Sequence, residues 1–148
     1  MPPETEQNEG KMYHESTYRV PYADTDQMGV VYYANYLVYF ERSRTEMLRD
    51  FGLPYSELEK RGLILPVIEA QCRYFAPAHY DELLTFRSFV LDFSRVKLDV
   101  GTEVCRENEL LVSGHVMLGC VGLDRRPVRM PPELAEACAK LRRDWEEK

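Results

Sequence analysis

The chain has 148 residues, 45% of them hydrophobic and 30% charged, with a formal net charge of −6. That length suits one domain with a single core, and the balance is globular rather than disordered or fibrous. An acidic chain is poorly suited to holding nucleic acid by phosphate neutralisation, and no apolar run approaches the ~20 residues of a membrane span.

Residues 1–15 read as a disordered polar tail, rich in Pro, Glu and Gln, without periodicity and without the apolar stretch of a secretory signal. Residues 16–148 then read as one domain. A short strand is predicted over 16–22, followed by a loop over 24–29 that carries Asp24, Asp26 and Gly29. From about 31 to 51 the period becomes helical, with Tyr33, Leu37, Phe40, Met47 or Leu48, and Phe51 on one stripe and Tyr36 widening it. Glu41, Arg42, Arg49 and Asp50 fall opposite, and the spacing of Arg42 and Glu46 predicts an ion pair. Gly52 and Pro54 end this helix, and 54–62 opens with Pro and closes with Gly as a short second one.

The period then drops to two. Ile64, Pro66, Ile68, Ala70, Cys72 and Tyr74 predict the buried face of a strand, against Glu69, Gln71 and Arg73. Further strands are predicted over 83–93, 96–106 and 110–122. In the second of these Val96, Leu98, Val100 and Val104 oppose Lys97, Asp99 and Glu103. The turn at 106–109 is short enough for a hairpin. A charged helix over 131–145 closes the chain, with Leu134, Cys138 and Leu141 as its stripe. One long helix followed by a run of antiparallel strands predicts an α+β fold, with five strands wrapped about the helix. The edge or outer face of such a sheet calls for a partner, so self-association is expected.

Signals for familiar chemistry are few. Glycine-rich phosphate loops, the dinucleotide turn and the serine elbow are all missing. Cys72, Cys105, Cys120 and Cys138 form no C-x-x-C pair and only three histidines accompany them, so neither a metal nor a cofactor is expected. Free buried thiols point instead to a reducing, cytoplasmic setting. Asp24 and Asp26 remain. Lying before the long helix, they can serve as caps for its free N–H groups. Those same N–H groups can also form an oxyanion hole beside a reactive carboxylate, with Tyr32, Tyr33 and Tyr36 as walls.

The run YADTDQMGVVYYANY at 22–36, followed by YFERSR at 39–44, resembles the signature of hot-dog-fold acyl-CoA thioesterases. The similarity is to the 4-hydroxybenzoyl-CoA thioesterase family, including its Tol-Pal-associated bacterial members. YFAPAHYDELL at 74–84 resembles that family's strand–loop–strand crossing, and the likeness extends over about 18–131. The resemblance implies a hot-dog fold, a long helix wrapped by an antiparallel sheet, and an active site at the interface of a homodimer or homotetramer. It also implies an acyl-CoA substrate hydrolysed to free acid and CoA. The family's catalytic carboxylate falls on Asp26 and its carbonyl-polarising backbone N–H on Tyr33, with Asp24 in support. Tyr33 agrees with the hydroxybenzoyl enzymes, whereas Tol-Pal-associated members commonly carry His there. Gly29, Val30, Tyr32 and Tyr36 fall on the substrate side. Arg95 and Lys97 resemble a basic crossing for the CoA phosphates, and Arg125, Arg126 and Arg129 form another basic group. A hot-dog dehydratase and a non-catalytic acyl-CoA-binding protein are the alternatives.

Overall fold

Strand β3 (Leu83–Phe93) lies between β1 (His14–Arg19) and β4 (Lys97–Arg106), and β4 pairs with β5 (Glu109–Gly119), which pairs with β2 (Val67–Tyr74). All pairings are antiparallel, giving the order β1-β3-β4-β5-β2. The computed structural model describes residues 13–144. The expected tail therefore lies outside the described residues except for its last part. His14 and Glu15, assigned to it from composition, belong to β1.

Helix α1 (Asn35–Asp50) crosses one face of this sheet and touches all five strands. Short side chains bring it close. Phe86, Val104 and Val112 form one row across the sheet, and Ser88, Thr102 and Gly114 form the next. In that second row Ser43 of α1 bonds Ser88 at 2.5 Å and Ser88 bonds Thr102 at 3.0 Å, so the buried hydroxyls satisfy one another. Phe40 rests on Gly114, where an added Cβ would lie 2.6 Å from its ring and clash with the Gln71 carbonyl.

The helix begins at Asn35, four residues later than its periodicity predicts, because the preceding backbone is committed elsewhere. Val31 N–H donates to the Ala78 carbonyl and Tyr32 N–H to that of Asp24. The buried stripe is accordingly Tyr36, Tyr39, Phe40, Ser43, Met47 and Leu48. Tyr33 and Leu37, expected on it, are exposed by 62% and 42%. Glu46 pairs with Arg49 at 3.5 Å instead of Arg42, whose guanidinium lies 4.8 Å from the Tyr18 ring centre. The helix ends as expected, with Gly52 N–H donating to the Arg49 carbonyl and Leu53 N–H to that of Leu48. Helix α2 (Tyr55–Lys60) follows.

Two sheet expectations are overturned by position in the sheet. Strand β2 is an outer strand, so Ile68 and Tyr74 of its supposedly buried face are about half exposed and Ile64 lies outside it. In β4, Val96 precedes the strand and is 38% exposed, while Glu103, expected in solvent, is buried. The chain end causes this. Helix α3 (Pro132–Lys140) stops short of the predicted 131–145, and residues 141–143 run alongside β3. Leu141 O accepts from Val90 N–H, and Arg143 N–H donates to the Val90 carbonyl. The Arg143 guanidinium then lies 3.9 Å from the Phe89 ring centre and 3.6 Å from Glu103. Trp145 lies outside the described residues.

Candidate active site

Between β1 and α1 the chain makes a small hairpin. Thr25 bridges Val31, Asp26 N–H donates to the Val30 carbonyl, and Gly29 N–H returns to the Asp26 carbonyl at 3.0 Å. This is a type I turn closed by a left-handed residue, and Gly29 supplies that conformation with φ +77°. The Asp26 side chain shapes the turn from within, its Oδ1 accepting Met28 N–H at 2.8 Å. Neither aspartate caps α1, whose first turn has no side-chain cap.

Asp24 holds a different post. Its Oδ2 accepts hydrogen bonds from Tyr18 (2.7 Å) and Tyr39 (2.8 Å), and its carbonyl accepts from Tyr32 N–H and from Asn35 Nδ2, both at 2.9 Å. Burial, then the bond to Asp24, pushes the Tyr18 phenol up to about 12, and the same causes raise Tyr39 further. Both therefore stay protonated donors to the one carboxylate.

The second signature stretch closes the other side. Arg106 donates to both Glu82 oxygens (2.8 and 3.0 Å) and to the Pro77 carbonyl, tying the loop after β2 to the sheet. Burial works against the Glu82 charge, but hydrogen bonds from His79 N–H and Arg106 outweigh it and hold that carboxyl below its usual range. The loop so held presents Ala78, whose carbonyl takes Val31 N–H and whose N–H donates to the Tyr36 hydroxyl at 3.2 Å. Tyr74 OH reaches across to the Tyr33 carbonyl at 3.0 Å. Val31, Tyr33, Tyr36, Tyr74, Phe75, Ala76 and Pro77 enclose a cleft of about 340 Å³ with no charged side chain in its wall.

At the mouth of this cleft the backbone donors are unequally used. Val31 and Tyr32 N–H groups are bonded, whereas Tyr33 N–H has no hydrogen-bond partner among the described residues. Tyr32, Tyr33 and Ala34 carbonyls accept from Asn35, Tyr36 and Leu37, so a tight turn leads into α1 and Tyr33 N–H belongs to the free N-terminal set. Such donors are suited to an oxygen that gains negative charge.

Residues 20–138 match the Thioesterase-like superfamily. The chain belongs to this superfamily. It is 41% identical over 85 residues to YneP of Bacillus subtilis (strain 168), a match spanning 57% of this chain and 62% of that protein. It is 34% identical over 115 residues to the acyl-CoA thioester hydrolase YbgC of Escherichia coli O6:H1, covering 77% of this chain and 83% of that one. Among solved structures, the DHNA-CoA thioesterase of Staphylococcus aureus superposes with a TM-score of 0.81 at 30% identity, over 87% of this chain and 90% of that one. The expected hot-dog fold is therefore the fold of this chain.

The thioesterase signature is distributed unevenly over this geometry. Tyr33 and Tyr36 line the cleft, Tyr32 packs on Tyr33 at 4.8 Å between ring centres, and Val30 bridges His79. Tyr74, Phe75 and Pro77 complete the wall. Sequence reasoning placed them in a crossing rather than a pocket, although they open the second quoted stretch. Arg95 and Lys97 are exposed at the opposite end of the sheet, seven residues of β4 and about 23 Å from the Val104 row at about 3.3 Å per residue. The segment that carries the second basic group joins the backbone there, Met130 N–H donating to the Arg95 carbonyl at 2.7 Å. His115 is held between Asp99 and Gln71 at 2.9 Å each. Cys138 is pushed up to about 12 by burial and by nearby Cys120, which suits inert thiols. No three metal-ligating side chains come together among the described residues, and no helix there is long and apolar enough to cross a membrane.

Proposed function

We propose that this protein hydrolyses acyl-CoA thioesters at the aromatic cleft, with Asp26 as the reacting carboxylate and Tyr33 N–H as the oxyanion donor. It is an acyl-CoA thioester hydrolase by family, as YbgC is by name. The observation that carries the assignment is the Tyr33 N–H at the helix start, unbonded among the described residues, on a residue that also lines the cleft. The acyl group enters among Tyr33, Tyr36, Tyr74 and Phe75, and its carbonyl oxygen turns toward Tyr33 N–H. Asp26 keeps one oxygen on Met28 N–H and uses the other. It either attacks the carbonyl carbon, expelling CoA thiolate and leaving an anhydride for water to cleave, or takes a proton from the attacking water. Both routes consume one water and release the acid and CoA thiol.

A second copy of the chain completes the site in this reading. β2 has a free edge beside exposed Val67, Ile68, Tyr74 and Phe75, the kind of edge that another chain pairs with. Two-fold pairing of β2 with its copy is antiparallel and sets the Val67 end of one chain beside the Tyr74 end of the other. The partner's basic end, with Arg95 and Lys97, is then brought toward this chain's cleft, where CoA phosphates need cations. The working unit is a homodimer, or a homotetramer of two such dimers, in the cytoplasm.

The test is release of CoA thiol from a panel of short, long and aromatic acyl-CoAs, with Asp26→Asn alongside. Thiol release by the native protein and its loss in the variant are expected. Full turnover by Asp26→Asn would overturn the assignment of Asp26, and no release from any substrate would leave an acyl-CoA-binding protein.

A further inference from the structure

Asn35, the first residue of α1, makes two hydrogen bonds to carbonyls of two peptide units that are themselves linked. Its backbone N–H donates to the Tyr32 carbonyl and its side-chain Nδ2 to the Asp24 carbonyl, each at 2.9 Å. The same Asp24 carbonyl accepts Tyr32 N–H, also at 2.9 Å. These three bonds close a ring through Asp24, Tyr32 and Asn35. Asp24 is itself anchored by the Tyr18 and Tyr39 hydroxyls on its carboxylate, so the ring hangs from the aromatic core.

The ring determines where one donor points. A peptide unit is planar and trans, so its N–H is directed opposite to its C=O. With the Tyr32 carbonyl turned into the helix toward Asn35 N–H, the Tyr33 N–H of that same peptide must face outward from the helix start. An Asn at a helix start ordinarily serves the local backbone or water. Here it reaches back to a carbonyl 11 residues earlier.

We propose that Asn35 is a positioning residue, its side-chain amide locking the ring that aims Tyr33 N–H into the cleft. This rests on the oxyanion reading given above. An oxyanion donor lowers a barrier because it is already oriented when charge develops, and a displacement near 1 Å can cost about 100-fold in rate. Asn35 therefore acts on turnover rather than on substrate affinity.

Two variants test this: Asn35→Ala, and Asn35→Asp, which keeps the size and loses the donor. Both should lose about 10- to 100-fold in kcat with KM changed less than about threefold. The second readout is the stretching frequency of a carbon-13 thioester carbonyl bound to Asp26→Asn protein. It should lie below its solution value, and return toward it when Asn35 is also replaced. Unchanged kcat in either folded variant, a loss carried by KM, an unmoved carbonyl frequency, or failure of both variants to fold would each overturn the role. The two readings fail separately. Full turnover by Asp26→Asn sinks the proposed catalyst, whereas an inactive Asp26→Asn beside fully active Asn35 variants sinks only the clamp.

Discussion

Asp24 sits with its carboxylate between two phenols and its carbonyl under two further donors, while Asp26, two residues on, engages a single backbone N–H in a half-exposed turn. Among the described residues, Asp24 Oδ2 takes two phenol hydrogens and Asp26 Oδ1 takes one backbone N–H. An oxygen shared by two phenols cannot attack or take a proton without breaking those bonds, which suits Asp24 Oδ2 to bracing the loop. The difference in partners fits the proposed division between a brace at Asp24 and chemistry at Asp26, which residue type and spacing leave open.

Substitution can break this comparison. Asp26→Asn should cost about 100- to 10,000-fold in kcat, the range for loss of an acid–base group, and leave the urea midpoint unchanged. A matching fall in stability would show that the turn, not the chemistry, was lost. Asp24→Ala should do the reverse. It strands the Tyr18 and Tyr39 hydroxyls, and at about 1–3 kcal/mol per unsatisfied group it should lower the unfolding free energy by roughly 2–6 kcal/mol in urea titration. Stability within about 0.5 kcal/mol of native, the range of ordinary surface substitutions, would remove the brace.

A smaller effect tests the basic end that the cleft lacks. Arg95→Glu with Lys97→Glu should raise KM for acyl-CoA by about tenfold at low salt, with kcat little changed and the difference shrinking as salt screens the phosphates. An unmoved KM would mean that the partner's cations do not reach the substrate. The smallest effect is alkaline. Tyr18 holds its proton to about 12 in the folded protein, against 10.0 ordinarily, because of burial and then its bond to Asp24. The folded state therefore binds a proton that the unfolded chain releases. This contribution is complete below pH 10 and lost as pH rises through 12. Tyr18→Phe should flatten the decline of urea midpoints across that window. An unchanged slope would detach Tyr18 from the brace.

Much of the fold was legible in the residues. The 83–93 strand was read to the residue, and the Gly52 and Pro54 stop signals ended α1 where the structure ends it. Those elements depend on local pattern. The errors fall where a distant segment intervenes. Val31 and Tyr32 have helical spacing, but their N–H groups are taken by Ala78 and Asp24, which delays the helix to Asn35. Glu103 alternates like a solvent residue and is buried because the chain end crosses it, and β2 alternates like a core strand but lies at the edge.

The candidate site divides in the same way. Sequence by itself determined the α+β class and the strand-rich order behind one long helix, and the thioesterase resemblance pointed to Asp26 and Tyr33 for the proposed chemistry. Only the tertiary structure decided that Tyr74 and Phe75 wall the cleft, that Arg95 and Lys97 stand at the far end of the sheet, and that Asn35 reaches back to Asp24. Periodicity reports which face a residue prefers, since that follows from neighbours three or four positions away. Which carbonyl an N–H meets depends on segments tens of residues distant, and that is settled only when the helix has been laid across the sheet.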